Sequence, residues 1–151
     1  MMTNPINLIQ DQLIEEFEIF DNWMDKYEYI IDQGKELPVL EEKYKRPENL
    51  IKGCQSQVWL HSELREGLVE LNADSDAIIT KGLIALIIRV LNHQNPKDIS
   101  EVELYMTSRI GLNEHLSPSR SNGLNSMIKQ IKLDALALQA TQIGNLKSNL
   151  I

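Results

Sequence analysis

The chain has 151 residues, 42% of them apolar and 25% charged, with a formal net charge of −7. That length suits one domain with its own core, and the acidity excludes an ordinary nucleic-acid binder, which gathers Lys and Arg on one face. A single cysteine, Cys54, rules out an internal disulfide and fits a reducing compartment.

Asn4-Pro5 is a good helix start, with Asn4 as cap and Pro5 in the first turn. Ile9, Leu13, Phe17, Phe20, Met24, Tyr27 and Ile31 then recur every three or four residues, the spacing of one helix face. Asp21-Asn22 offers a break that would divide this stretch in two, and Gly34 stands where a C-terminal cap belongs. Pro38 and Pro47 mark an irregular segment. From Gln55 the period becomes two. Val58, Leu60 and Ser62 alternate with Gln57, Trp59 and His61, Arg65-Glu66-Gly67 reads as a turn, and Leu68 to Ala73 alternates again. This is an antiparallel hairpin, with Glu48 to Ile51 as a candidate third strand.

Ser75 is placed to cap the next helix, and Asp76 to open it. Ile78, Ile79, Leu83, Leu86, Ile87, Val90 and Leu91 give that helix a wide apolar face, so it is the expected central helix. Gly82 costs it about 1 kcal/mol relative to Ala, which close approach to the hairpin would offset. Asn95-Pro96 ends this helix or starts a short one. Ser117-Pro118 begins the last, with Leu124, Met127, Ile128, Ile131, Ala135 and Leu138 inward, and the tail after Thr141 is expected to fray. The expected architecture is a single α+β domain over 1–151, its helices packed on one face of a small antiparallel sheet.

The longest apolar stretch, Leu83 to Leu91, is broken by Arg89 and is too short to span a bilayer. No basic segment followed by an apolar run opens the chain, so the expected location is the cytoplasm, with no membrane partner. Charge is uneven along the chain. Eleven acids between Asp11 and Glu42 meet only Lys26 and Lys35, whereas Arg120, Lys129, Lys132 and Lys147 outnumber Asp134 after His115. Solvated helix faces account for this, and so does a surface that orients a protein partner.

Cys54 lies in Gly53-Cys54-Gln55-Ser56-Gln57. A free cysteine often behaves as a small buried hydrophobe, but Gln, Ser and Gln are not core residues. Gly53 indicates a loop with unusual backbone angles. Cys54 is therefore expected to be displayed or lightly covered at a sheet end, with Leu50, Ile51 and Val58 as its apolar cover. Arg120 stands in the first turn of the last helix, against the helix dipole, where it and the free amides favour a nearby anion. An exposed arginine with a small misfit is the plain account. His61, His93 and His115 lack metal-ligand spacing, so no metal is expected, and His115 is a candidate helper of Cys54.

Gly53-Cys54-Gln55-Ser56-Gln57-Val58-Trp59 resembles the cysteine motif of the SufE family of sulfur acceptors. Three further stretches resemble that family in the same order. They are Tyr27-Glu28-Tyr29-Ile30-Ile31; Asp74-Ser75-Asp76-Ala77 with Lys81-Gly82-Leu83-Ile84-Ala85; and His115-Leu116-Ser117-Pro118-Ser119-Arg120 with Gly123-Leu124. The resemblance implies a fold shared with IscU-type cluster scaffolds. It also implies that Cys54 carries sulfur as a persulfide, without a cofactor. The implied partners are a PLP-dependent cysteine desulfurase (SufS-like), which is stimulated, and a SufBCD-like scaffold complex that receives the sulfur. On this view the chain is a sulfur-transfer partner, not an enzyme in its own right, with Gly53, Gln55, Ser56, Arg120 and His115 as supporting residues.

Other functions are weighed beside it. The same relay serving another desulfurase or acceptor (CsdE-like) needs the same residues. A cysteine hydrolase would use Cys54 as nucleophile and His115 as base. An iron–sulfur scaffold needs about four ligands, usually thiolates, and one cysteine cannot supply them. Monomer and homodimer both remain open.

Overall fold

In the computed structural model, which describes residues 4–149, the first helix, α1 (Pro5–Glu18), starts where Asn4 accepts a hydrogen bond from the Ile6 N–H at 2.8 Å. The break at Asp21-Asn22 is real. Asn22 caps a second helix, α2 (Trp23–Lys35), by accepting from the Asp25 N–H at 2.9 Å. Gly34 is not its cap. Glu36 ends the helix, and Gly34 is buried within the last turn. Met24, expected on the inner face, is 68% exposed.

The hairpin forms as expected from strands β1 (Val58–Arg65) and β2 (Leu68–Ser75), paired antiparallel from Val58↔Ser75 to Arg65↔Leu68. Glu66 and Gly67 both take positive φ, 54° and 82°, the tight connection that matches strand twist. Val58, Leu60, Val69, Leu71 and Ala73 are buried on its inner face. The third strand does not form. Pro47–Asn49 makes a 3-10 turn, and only Leu50 bridges to Trp59, because a proline that opens a helical turn leaves too little extended chain to pair.

Helix α3 (Ile78–Leu91) is the central helix, with Leu83, Ile84, Leu86, Ile87, Val90 and Leu91 buried. It starts later than the sequence indicates. Ser75 is still paired to Val58 in the sheet, so Ala77 takes the cap position without a side-chain bond, and Ile78 is 68% exposed. Short helices α4 (Pro96–Glu101), α5 (Met106–Ile110) and α6 (Leu112–His115) follow. Helix α7 (Pro118–Asn149) buries Leu124, Met127, Ile131 and Ala135, as its spacing requires. It stays helical past Thr141, and Gln142 donates to the Gly67 carbonyl of the hairpin turn at 3.5 Å. Both α3 and α7 contact the hairpin.

Glu16 joins three helices, accepting from Tyr29 of α2 and Arg89 of α3. Gly82 approaches α2, not the hairpin. A Cβ on Gly82 would overlap the Ile30 carbonyl oxygen, and one on Gly34 would stand 2.7 Å from the Gly82 nitrogen. Helix propensity alone predicts that Gly82→Ala stabilises the protein by about 1 kcal/mol. Overpacking against backbone costs about 1–3 kcal/mol and cannot relax cheaply here. Gly82→Ala should therefore lower stability by about 2 kcal/mol in urea unfolding, and a gain in stability would show that α2 is free to move away.

Candidate functional site

The Ile51 N–H donates to the Val58 carbonyl at 2.9 Å and closes residues 52–57 into a loop. Three further contacts seat that loop. Gly53 has φ +92°, as its position suggests, and a Cβ there would meet the Ser126 hydroxyl of α7 at 2.5 Å. The Cys54 thiol points at the Gly123 carbonyl of α7, with Sγ 3.6 Å from the oxygen. The Gln57 N–H donates to the Asp76 carboxylate at 3.0 Å, and the Asp76 N–H returns a bond to the Gln57 carbonyl at 3.3 Å. Cys54 is thus held between the first turns of α7 and the entry to α3.

A cavity of about 70 Å³ lies beside the sulfur. Leu83 and Met127, each 1% exposed, give it an apolar wall together with Thr80. Gln55, Ser56, Ser119 and Arg120 supply polar edges, and Gly123 completes the lining. Leu50, Ile51 and Val58 do not form the cover. Ile51 and Val58 belong to the core, and Leu50 lines a separate surface cavity with Lys52 and Gln130. Apolar residues flanking a loop in sequence point into the sheet, so the cover comes from helices distant in sequence.

Burial pushes the Cys54 thiol above its ordinary value. Cys54 is half-buried, and that shift disfavours the thiolate, which is its nucleophilic form. Arg120 lines the same cavity, but its guanidinium donates to the Tyr27 hydroxyl at 3.2 Å. His115 does not line the cavity. Its ring stacks on Trp23 at 4.4 Å, and Nδ1 lies 2.9 Å from the Gly111 carbonyl oxygen. Of the expected site residues, the structure gathers Cys54, Gln55, Ser56 and Arg120 around one cavity and sets Gly53, with its left-handed backbone, beside it.

Thr80, Leu83 and Met127 escape a sequence reading because they carry the periodicity of helix cores. Asp76 stands in a motif already singled out, but as a helix opener and not as the anchor of a loop.

The family model for SufE, described as the Fe-S metabolism associated domain, matches residues 11–135. The chain belongs to the SufE family. Membership places it in iron–sulfur metabolism as a sulfur-transfer helper, and the matched span includes Cys54, Asp76, Arg120 and Gly123. The solution structure of a hypothetical protein from Thermus thermophilus is similar in fold, with a TM-score of 0.74 at 18% sequence identity. The match covers 92% of this chain and 99% of that one. Among the described residues, no helix of this SufE protein is long and apolar enough to cross a membrane.

A raised thiol sets a pH profile. The rate of Cys54 alkylation by iodoacetamide should have its midpoint above the ~8.5 of an unperturbed cysteine. Asp76→Ala should free Gln57 and accelerate alkylation several-fold with little change in melting temperature. A parent protein that alkylates like a free thiol, or a variant that alkylates no faster, would contradict a closed loop.

Proposed function

We propose that Cys54 accepts sulfur from a PLP-dependent, SufS-like cysteine desulfurase, stimulates that enzyme by clearing its product, and delivers the sulfur to a SufBCD-like complex that assembles iron–sulfur clusters. The observation that carries this reading is the setting of the chain's one cysteine. In a SufE-family chain, that thiol stands on a closed loop beside a cavity with room for one more sulfur atom. Among the described residues the cavity lining holds no histidine or carboxylate to serve as a base, which favours sulfur transfer over a cysteine hydrolase.

The transfer is a thiol–persulfide exchange. The Cys54 thiolate attacks the outer sulfur of the partner's persulfide and forms a new S–S bond. The old S–S bond breaks, and its electron pair leaves with the partner's cysteine as a thiolate. The electron count is unchanged, because a sulfane sulfur simply changes carriers. Two demands then conflict. The loaded sulfur needs shielding from small reductants, yet it has to meet another protein's thiol. We place the resolution in the 52–57 loop, closed at rest and opened when a partner binds the open form more tightly.

Incubation with a cysteine desulfurase and cysteine should add one sulfur atom to the parent in intact-mass analysis and accelerate alanine release. Cys54→Ser should fold with a similar melting temperature and do neither. A Cys54→Ser protein that still stimulated full turnover would remove the carrier role. Arg120→Ala should slow sulfur acceptance several-fold and shift its pH dependence upward, because a cation is lost from the cavity edge. Unchanged rates at every pH would leave Arg120 as a partner of Tyr27 alone.

A further inference from the structure

The chain carries 22 acidic side chains against 15 Lys and Arg, yet among the described residues Arg120 pairs with no carboxylate. Arg65 and Arg89, by contrast, each hold a glutamate. Arg120 also stands in the first turn of α7, where the helix dipole disfavours a cation. What holds its guanidinium is the Tyr27 hydroxyl, which accepts from it at 3.2 Å. Tyr27 is itself fixed, because it is half-buried on α2 and its ring packs against the core. One turn earlier on α2, Trp23 stacks on His115. Residues four apart share a helix face, so α2 meets the chain on both sides of Ser117-Pro118 with one aromatic face. The stretch that brings Arg120 to the Cys54 cavity is thus braced before and after its turn.

We propose that Tyr27 is a positioning residue for sulfur transfer, its hydroxyl holding the Arg120 guanidinium at the edge of the Cys54 cavity, where the charge favours an anionic sulfur. The inference rests on the sulfur-acceptor reading of Cys54 and adds a residue that acts through Arg120. An exposed arginine samples many rotamers, and a charge that wanders into water is screened. The hydroxyl accepts one guanidinium N–H and leaves the other donors available. A phenol is uncharged at neutral pH, whereas a carboxylate in its place would neutralise the cation and repel a thiolate. Besides Cys54, Arg120 is the ionisable side chain that lines the cavity. At the entry to α3, Asp76 is engaged by the Gln57 N–H, and Lys52 of the loop lines the separate cavity with Leu50. On α2, Lys26 donates to the Ile110 carbonyl, and Glu28 lines a surface cavity with Phe20. Tyr27 therefore governs the one cation at the cavity edge.

Tyr27→Phe keeps the ring and removes the acceptor. In protein carrying no extra sulfur, it should move the pH midpoint of Cys54 alkylation by iodoacetamide upward by about half a pH unit, the scale of an ion pair at a solvent-exposed edge. Arg120→Ala should move the midpoint at least as far. Tyr27→Phe added to Arg120→Ala should move it no further, because Tyr27 acts through Arg120. Loss of packing alone would lower the melting temperature and leave the pH profile in place. An unshifted or downward midpoint for Tyr27→Phe, or a further shift in the double variant, would overturn the proposal. Loading of the parent by a cysteine desulfurase and cysteine, followed by intact mass, tests the sulfur-acceptor reading separately. A parent that gains no sulfur would refute that reading, while the alkylation profiles, measured without sulfur, decide the place of Tyr27 either way.

Discussion

Helices α2 and α3 cross where neither carries a side chain, and the placement of the site depends on that contact. The missing Cβ of Gly82 leaves room for the Ile30 carbonyl, and the missing Cβ of Gly34 leaves room for the Gly82 backbone. With no side chain between them, the two backbones approach closely, and α3 becomes a rod buried on nearly every side. Its later turns fill the core, while its first turns deliver Thr80 and Leu83 to the cavity wall. The same crossing fixes α2, which presents Tyr27 to Arg120 at the start of α7. A wider crossing would move one wall of the cavity against the other.

The Cys54 loop is tied to this frame by contacts that are individually modest. A backbone hydrogen bond contributes about 0.5–1.5 kcal/mol net, and a thiol-to-carbonyl contact less. The pair of bonds between Gln57 and Asp76, and the approach of Cys54 to Gly123, therefore hold the loop closed without locking it. A partner needs a preference of only a few kcal/mol for the open form to shift that balance. Two features limit which motions are available. The Ile51–Val58 bond anchors both ends of the loop to the sheet, and Gly53 supplies backbone freedom next to the sulfur.

Much of this was legible in the sequence. The cap at Asn4, the break at Asp21-Asn22, the hairpin alternation, and the apolar faces of α3 and α7 are local signals, each written within a few residues. The same holds for Gly53, whose left-handed backbone follows from its position in a polar loop. Signals that depend on packing between distant elements were not legible. Gly82 announced a close approach but not its partner. Ser75 looked like a cap because its neighbours are helix openers, yet pairing with Val58 keeps it in the sheet. Leu50, Ile51 and Val58 looked like a cover because they are apolar and adjacent, but strand alternation turns Val58 into the core. His115 and Arg120 sit five residues apart, and the turn at Ser117-Pro118 sends one to Trp23 and the other to the Cys54 cavity. Thr80 gave no sign at all, since its place on the cavity wall is a property of its surroundings.

The central claim is that Cys54 is shielded at rest and exposed by its partner. Its alkylation by a small reagent tests this most directly, with the rate measured on the isolated protein and again in the presence of a catalytically inactive cysteine desulfurase below saturation. The inactive enzyme removes sulfur transfer from the comparison, and partial saturation keeps the reagent from being blocked in every molecule. A closed loop gives slow alkylation of the free protein and faster alkylation once the desulfurase is added. A free protein that already reacts like an unstructured thiol, with no gain on binding, would contradict it.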